Sequence, residues 1–192
     1  MKFYDIPQFT KNPSHNIHVD WKYLERHLDH WGQAENNDLG PEAGVNLDPD
    51  FQRAHVWTEA QQRAYVEYIL KGGQSGRDIY FNCKGWGRLY EGPFVLVDGK
   101  QRLEAVRKFL RDELTIFHDL VRHPQGYAPP GIRFSGFSDR IPFQASFNFH
   151  VNDLKARAEV LRWYLEMNTG GTLHTAEEIS KVKDMLQKET QS

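Results

Sequence analysis

The stretch Phe94-Val95-Leu96-Val97-Asp98-Gly99-Lys100-Gln101-Arg102-Leu103 limits the fold more than any other. Its four apolar residues, rich in β-branched and aromatic types, suit a strand covered on both faces, and Asp98-Gly99 ends the strand in a tight turn. A helix must follow at once, because Leu103, Val106, Phe109 and Leu110 recur at helical spacing while Arg102, Glu104, Arg107, Lys108 and Arg111 take the other face. Free backbone N–H groups and the positive end of the helix dipole then face outward at the turn, beside Lys100 and Arg102. That is anion-binding chemistry, although many strand-turn-helix units with a basic face hold no ligand.

The sequence around this unit predicts one mixed α+β domain spanning residues 1–192, with a core over about 46–152 and a C-terminal helical pair over 153–190. Before the central unit, residues 3–9 read as an edge strand or extended lead-in. Asp20 to Trp31 reads as an amphipathic helix with Asp20 as N-cap. An acidic, Gly/Pro/Asn-rich loop without Lys or Arg separates Arg26 from Arg53; a solvated connection explains it best, a lid facing Mg²⁺ being the functional alternative. Thr58 and Gln61 form a capping box that opens a helix running to Gly72-Gly73, so Gln52-Arg53 sits on a loop just ahead of a helix. Asp78 to Cys83 has strand composition, and a Gly-rich connection leads from there to the central strand.

After the central helix, Leu114 to Phe117 reads as a short strand, and Pro124 to Pro142 is long enough to cover a site or form an arm. Ala145 to Val151 alternates as a half-buried strand, with His150 on its open side. A helix from Asp153 breaks at Asn168-Thr169-Gly170-Gly171, and a second capping box, Thr175 with Glu178, opens the last helix. Asn168 before two glycines is either a C-cap or a nest-like turn near an anion.

Charge and cysteine usage narrow the partners. With 24 basic against 26 acidic residues the net charge is -2, so binding to DNA needs a local basic face rather than a global field. Lys100, Arg102, Arg107, Lys108 and Arg111 against Glu104, with Arg122, Arg133 and Arg140 beyond, could supply one; a solvated helix face is the plainer reading. The single Cys83 excludes an internal disulfide, no apolar run reaches about 20 residues, and the start lacks a signal-peptide pattern, so a cytoplasmic protein without a membrane partner is expected.

Three separated pieces occur in a telling order: Pro49-Asp50-Phe51-Gln52-Arg53 with Val56-Trp57, then Asp98-Gly99-Lys100-Gln101-Arg102-Leu103, then Asn168 to Leu173. Together, over roughly residues 46–180, they resemble the N-terminal domain of GmrS-like (GmrSD) restriction proteins in the ParB/sulfiredoxin-like superfamily. The resemblance implies a small α/β core whose Asp98-to-Arg102 turn binds and hydrolyses a nucleoside triphosphate with Mg²⁺, as the turn in ParB relatives cradles CTP phosphates. It implies that Asp98 positions water or the metal, that Gly99 lets the backbone approach phosphate, and that Gln101 and Arg102 hold phosphate oxygens, with Gln52 and Arg53 closing the pocket. Activity in that family is coupled to DNA restriction or processing. Lys100 departs from the pattern, standing where the family commonly has a second Gln. No cysteine stands in the turn, which excludes sulfinic acid reduction. The HNH-type nuclease domain of the larger restriction proteins is not part of this sequence.

Three functions stay open at this level. The first is an NTPase or nucleotide-operated switch; the second is a stand-alone metal-dependent DNA nuclease using Asp98 with Asp48 or Asp50; the third is a non-catalytic phage or prophage interaction module.

Overall fold

The structure, a computed structural model, describes residues 3, 15–32, 44–54, 56–86, 92–118, 131–142, 144–169 and 175–191. The central unit forms as its pattern predicts: β4 (Phe94–Asp98) ends at Gly99, and α3 (Lys100–Leu110) begins on the next residue. Around β4 lies a five-stranded mixed sheet of order β1-β5-β3-β4-β2. β4 runs antiparallel to β3 (Asp78–Asn82) and parallel to the short β2 (Val45–Asn46). β3 is parallel to β5 (Ser146–Asn152), and β1 (His15–Asp20) lies antiparallel to β5 at the other edge. The fold class is α+β.

An apolar strand needs cover on both sides, and the helices provide it in two layers. Phe94 and Leu96 enter a cluster with α1 (Leu24–Gly32), α2 (Glu59–Leu70) and α3, where Trp31 stacks on Phe94 with ring centroids 3.8 Å apart. Val97 enters the opposite cluster with α4 (Arg157–Thr169) and α5 (Ala176–Gln191). Both capping boxes form: Thr58 Oγ1 accepts from the Gln61 amide, and Thr175 Oγ1 from the Glu178 amide.

Several expectations are corrected. The core does not begin near residue 46, because β1 pairs with β5 over six residues and Trp21, Leu24, Leu28 and Trp31 fill the first cluster. Ile17 and Val19 alone make too short an alternation to announce that strand. Asp20 ends β1 and precedes a 3-10 turn, Trp21–Tyr23, without capping it through its side chain. β5 is an interior strand between β1 and β3, with Ser146 and Asn152, on the face expected to be open, both buried. His150 there is held by Asp78 at 2.8 Å and stacks on Tyr80. Leu114 to Phe117 contributes one bridge, Ile116 to Ile132, rather than a strand. α4 starts at Arg157, not Asp153, whose carboxylate instead accepts from the Gly85 amide at 2.6 Å. Expectations for residues 4–9, for most of the acidic loop, for Arg122 with the first part of the 124–142 stretch, and for 170–173 lie outside the described residues. No helix among the described residues is long and apolar enough to cross a membrane.

Candidate functional site

The loop carrying Gln52 and Arg53 is anchored in both helical layers. Phe51 is buried against Tyr164 of α4, ring centroids 5.2 Å apart, while Trp57 packs at Tyr65 in the cluster on the other side of the sheet. Residues 51–54, 56 and 57 therefore lie at the end of the sheet where β4 finishes. The central turn fastens them there. Gln101 Oε1 accepts from the Val56 and Trp57 amides at 2.9 and 3.0 Å, and its Nε2 donates to the Ala54 carbonyl at 3.4 Å. Lys100 Nζ donates to the Arg53 carbonyl at 3.0 Å and pairs with the Asp48 carboxylate. Gln52 Nε2 in turn donates to the Leu96 carbonyl at 2.5 Å.

These contacts correct two roles. The side chains of Gln101 and Lys100, expected at phosphate oxygens, hold the loop in this structure, and both residues also line the cavity described next. Gly99 also has a different reason to be glycine. Its φ of +101° is left-handed, and a Cβ there would lie 2.5 Å from Ile79 Cδ1 and 3.3 Å from Ile79 Cα, so packing against β3 demands the missing side chain.

The result is one cavity of about 180 Å³. Gln52, Arg53 and Trp57 line it from the loop, Val97 to Arg102 from the turn, and Tyr164, Met167 and Asn168 from α4. Residues of the first two sequence segments meet there with Asn168, the start of the third. The first turn of α3 opens on it without a side-chain cap, since Gly99 is the N-cap residue. Two guanidinium groups share the cavity because each has a carboxylate of its own. Arg102 donates to Asp98 Oδ2 at 2.7 Å and to the Asp78 carbonyl at 3.0 Å, while Arg53 lies 3.8 Å from Glu178 of α5. Arg102 Nε is buried without an acceptor. Burial pushes the Tyr164 hydroxyl up to about 12; Arg53 pulls it down, and Glu178 and Asp98 push it further up. It is thus an O–H donor at neutral pH. Asn168 Nδ2 donates back to the Tyr164 carbonyl at 2.7 Å, a bond within the last turns of α4.

The proposed DNA face is largely self-neutralised. Arg107 and Arg111 both donate to Glu25 of α1 at 2.8 Å, and Arg107 also lies 3.8 Å from Glu104. Burial raises the Glu25 carboxyl, but the hydrogen bonds and charges of the two arginines outweigh it and hold the group below its ordinary value. Of the cations expected on that face, Lys108, Arg133 and Arg140 have no carboxylate pair among the described residues. Nor are the acids of a nuclease centre gathered. Asp48 pairs with Lys100, Asp50 with Arg157 at 2.8 Å and Asp98 with Arg102, and among the described residues no three His, Cys, Asp or Glu side chains come together to hold a metal ion.

Sequence reasoning passed over Tyr164 and Met167, and took Glu178 for a capping residue alone. Tyr164, Met167 and Asn168 stand at i, i+3 and i+4 on α4, so one helix face joins them once Asn168 is suspected.

No family model matches the chain, and neither does any curated protein or solved structure. What the pocket can do follows from its own groups: two arginines with internal counter-ions, an uncapped helix start, a phenol donor and one carboxylate.

Proposed function

We propose that the protein binds the phosphate chain of a nucleoside triphosphate in this pocket, together with Mg²⁺, and hydrolyses it. The observation that carries the reading is the convergence of Arg53, Arg102 and the open start of α3 on one cavity. A guanidinium presents a planar fork of donors matched to phosphate oxygens, which the single charge of Lys does not. At about 180 Å³ the cavity is smaller than the ~300–1,000 Å³ usual for a whole drug-sized ligand, so it takes phosphate groups and leaves the nucleoside outside.

Asp98 fits the metal. It lines the pocket, Oδ2 accepts from Arg102, and Oδ1 accepts no hydrogen bond among the described residues, which suits a cation that commonly takes one or two carboxylates and completes its shell with phosphate oxygens and water. Mg²⁺ bound with the nucleotide would neutralise phosphate charge. The chain's own groups do the rest: Arg53 and Arg102 fix oxygens, Tyr164 offers an O–H donor, and Asp98 orients Arg102 and the attacking water. Coupling to DNA restriction or processing rests on the resemblance to GmrS-like proteins, since Glu25 already occupies two of the cations on α3.

Calorimetric titration with ATP, GTP and CTP in the presence of Mg²⁺, followed by phosphate release on whichever binds, tests this. Binding with release supports the full reading. Binding without release leaves a nucleotide-operated switch and removes the hydrolysis; no heat with any of the three overturns the proposal.

A further inference from the structure

We infer that Glu178 is an internal competitor for Arg53, so that filling the pocket loosens the start of α5, and the seating of α5 in turn sets how tightly the pocket binds. The inference rests on the phosphate reading above and adds to it a residue and a readout.

The first turns of α5 meet the front of the site loop at two points. Glu178 lies 3.8 Å from Arg53, and Lys181 Nζ donates to the Asp50 carbonyl at 3.0 Å. Behind them Val182 is buried against the α4 layer. Glu178 also belongs to the capping box, where its Oε2 accepts from the Thr175 amide at 2.9 Å. The Arg53 and Glu178 side chains are 18% and 30% exposed, so their attraction is only partly screened. An anion that takes Arg53 removes Glu178's counter-ion and places a like charge beside its carboxylate.

Asp98 stands in the same relation to Arg102, but with a difference. Asp98 and Arg102 lie four residues apart on one rigid strand-turn-helix unit, whereas Arg53 and Glu178 join a loop to a different helix. Competition at Arg102 stays local; competition at Arg53 reaches α5. Because coupling between two equilibria is reciprocal, whatever weakens the Glu178 contact must strengthen binding by the same factor.

Glu178→Gln is the variant to use, since Gln is also a capping-box residue and keeps an acceptor for the Thr175 amide while removing the charge. The full chain and the variant are titrated with inorganic pyrophosphate, with Glu177→Gln as the control for charge alone, and amide exchange is followed over residues 175–182. The variant should bind roughly 1.5- to fivefold more tightly, the range that a partly exposed ion pair spans. Exchange at the start of α5 should rise when wild type binds pyrophosphate; in the variant it should be raised already and change little on binding. Equal or weaker binding by Glu178→Gln, or equal tightening by Glu177→Gln, overturns the competition while leaving the pocket's affinity for phosphate standing. Absence of binding by all three proteins overturns the phosphate reading and this inference with it.

Discussion

The two ends of α3 carry the same kind of charge and use it differently. At its start, Arg102 joins Arg53 around a cavity; at its end, Arg107 and Arg111 both donate to Glu25. Written in sequence the two groups look alike, and the basic run from Lys100 to Arg111 reads as one surface. In the fold, Arg102 at one end faces a second arginine across a cavity, and the other end spends Arg107 and Arg111 on joining α1 to α3. Where the opposing carboxylate stands decides which cations a ligand can reach.

Gly99→Ala should break the near end alone and have the largest effect. Left-handed backbone and a clash with Ile79 together cost about 2–4 kcal/mol, read as a lower urea midpoint. An unchanged midpoint means that β3 can move aside. Arg53→Ala comes next: loss of a charge-assisted hydrogen bond to phosphate lowers nucleotide affinity ~10- to 150-fold, or ~1.5–3 kcal/mol, with little change in melting temperature. Arg102→Ala should lose affinity too, but also stability, because it holds Asp98 and the Asp78 carbonyl. Equal loss of stability in both variants would erase the distinction between a ligand arginine and a structural one.

Smaller effects sharpen the contrast. Gln101→Ala strips the acceptor from the Val56 and Trp57 amides, so stability falls by about 1 kcal/mol and affinity falls with it; Gln101→Glu keeps the acceptor and should recover stability but not affinity, because it sets a negative charge at the wall of the anion's cavity. At the far end, Glu25→Gln should cost ~1 kcal/mol near neutral pH and leave nucleotide affinity untouched. The sign follows from the lowered Glu25 carboxyl: its contribution is present above the unfolded carboxylate range and is lost as pH falls through the folded value. Wild type and variant should therefore converge in acid. A gap that widens in acid rules out the clamp.

Much of this was legible from short signals. The strand, the Asp98-Gly99 turn and the helix are local, as are both capping boxes, and each formed as written. Gln52-Arg53, the central turn and Asn168 could be suspected of sharing a pocket, since each flanks a helix end. What the sequence could not show was who partners whom. Lys100 and Gln101 look like ligand groups until the loop 44 to 47 residues away takes them. Arg107 and Arg111 look free until α1, more than 80 residues earlier, supplies Glu25. β1 was missed because its two apolar residues gain meaning only from pairing with β5. Long-range closure decides these contacts, and periodicity carries no trace of it.

The loop from Phe51 to Trp57, seated in one helical layer at one end and in the other layer at the other, makes the site a product of the whole tertiary assembly. During folding, the pocket can close only after both layers have docked on the sheet, so no partly folded intermediate lacking either one can hold the ligand. A molecule bound there then selects the complete native state by mass action, raising global stability by about 2.7 kcal/mol at a hundredfold excess over its dissociation constant. The same dependence ties the cavity to the outer layer: any loosening of α4 from the sheet frees Phe51 and dismantles the site.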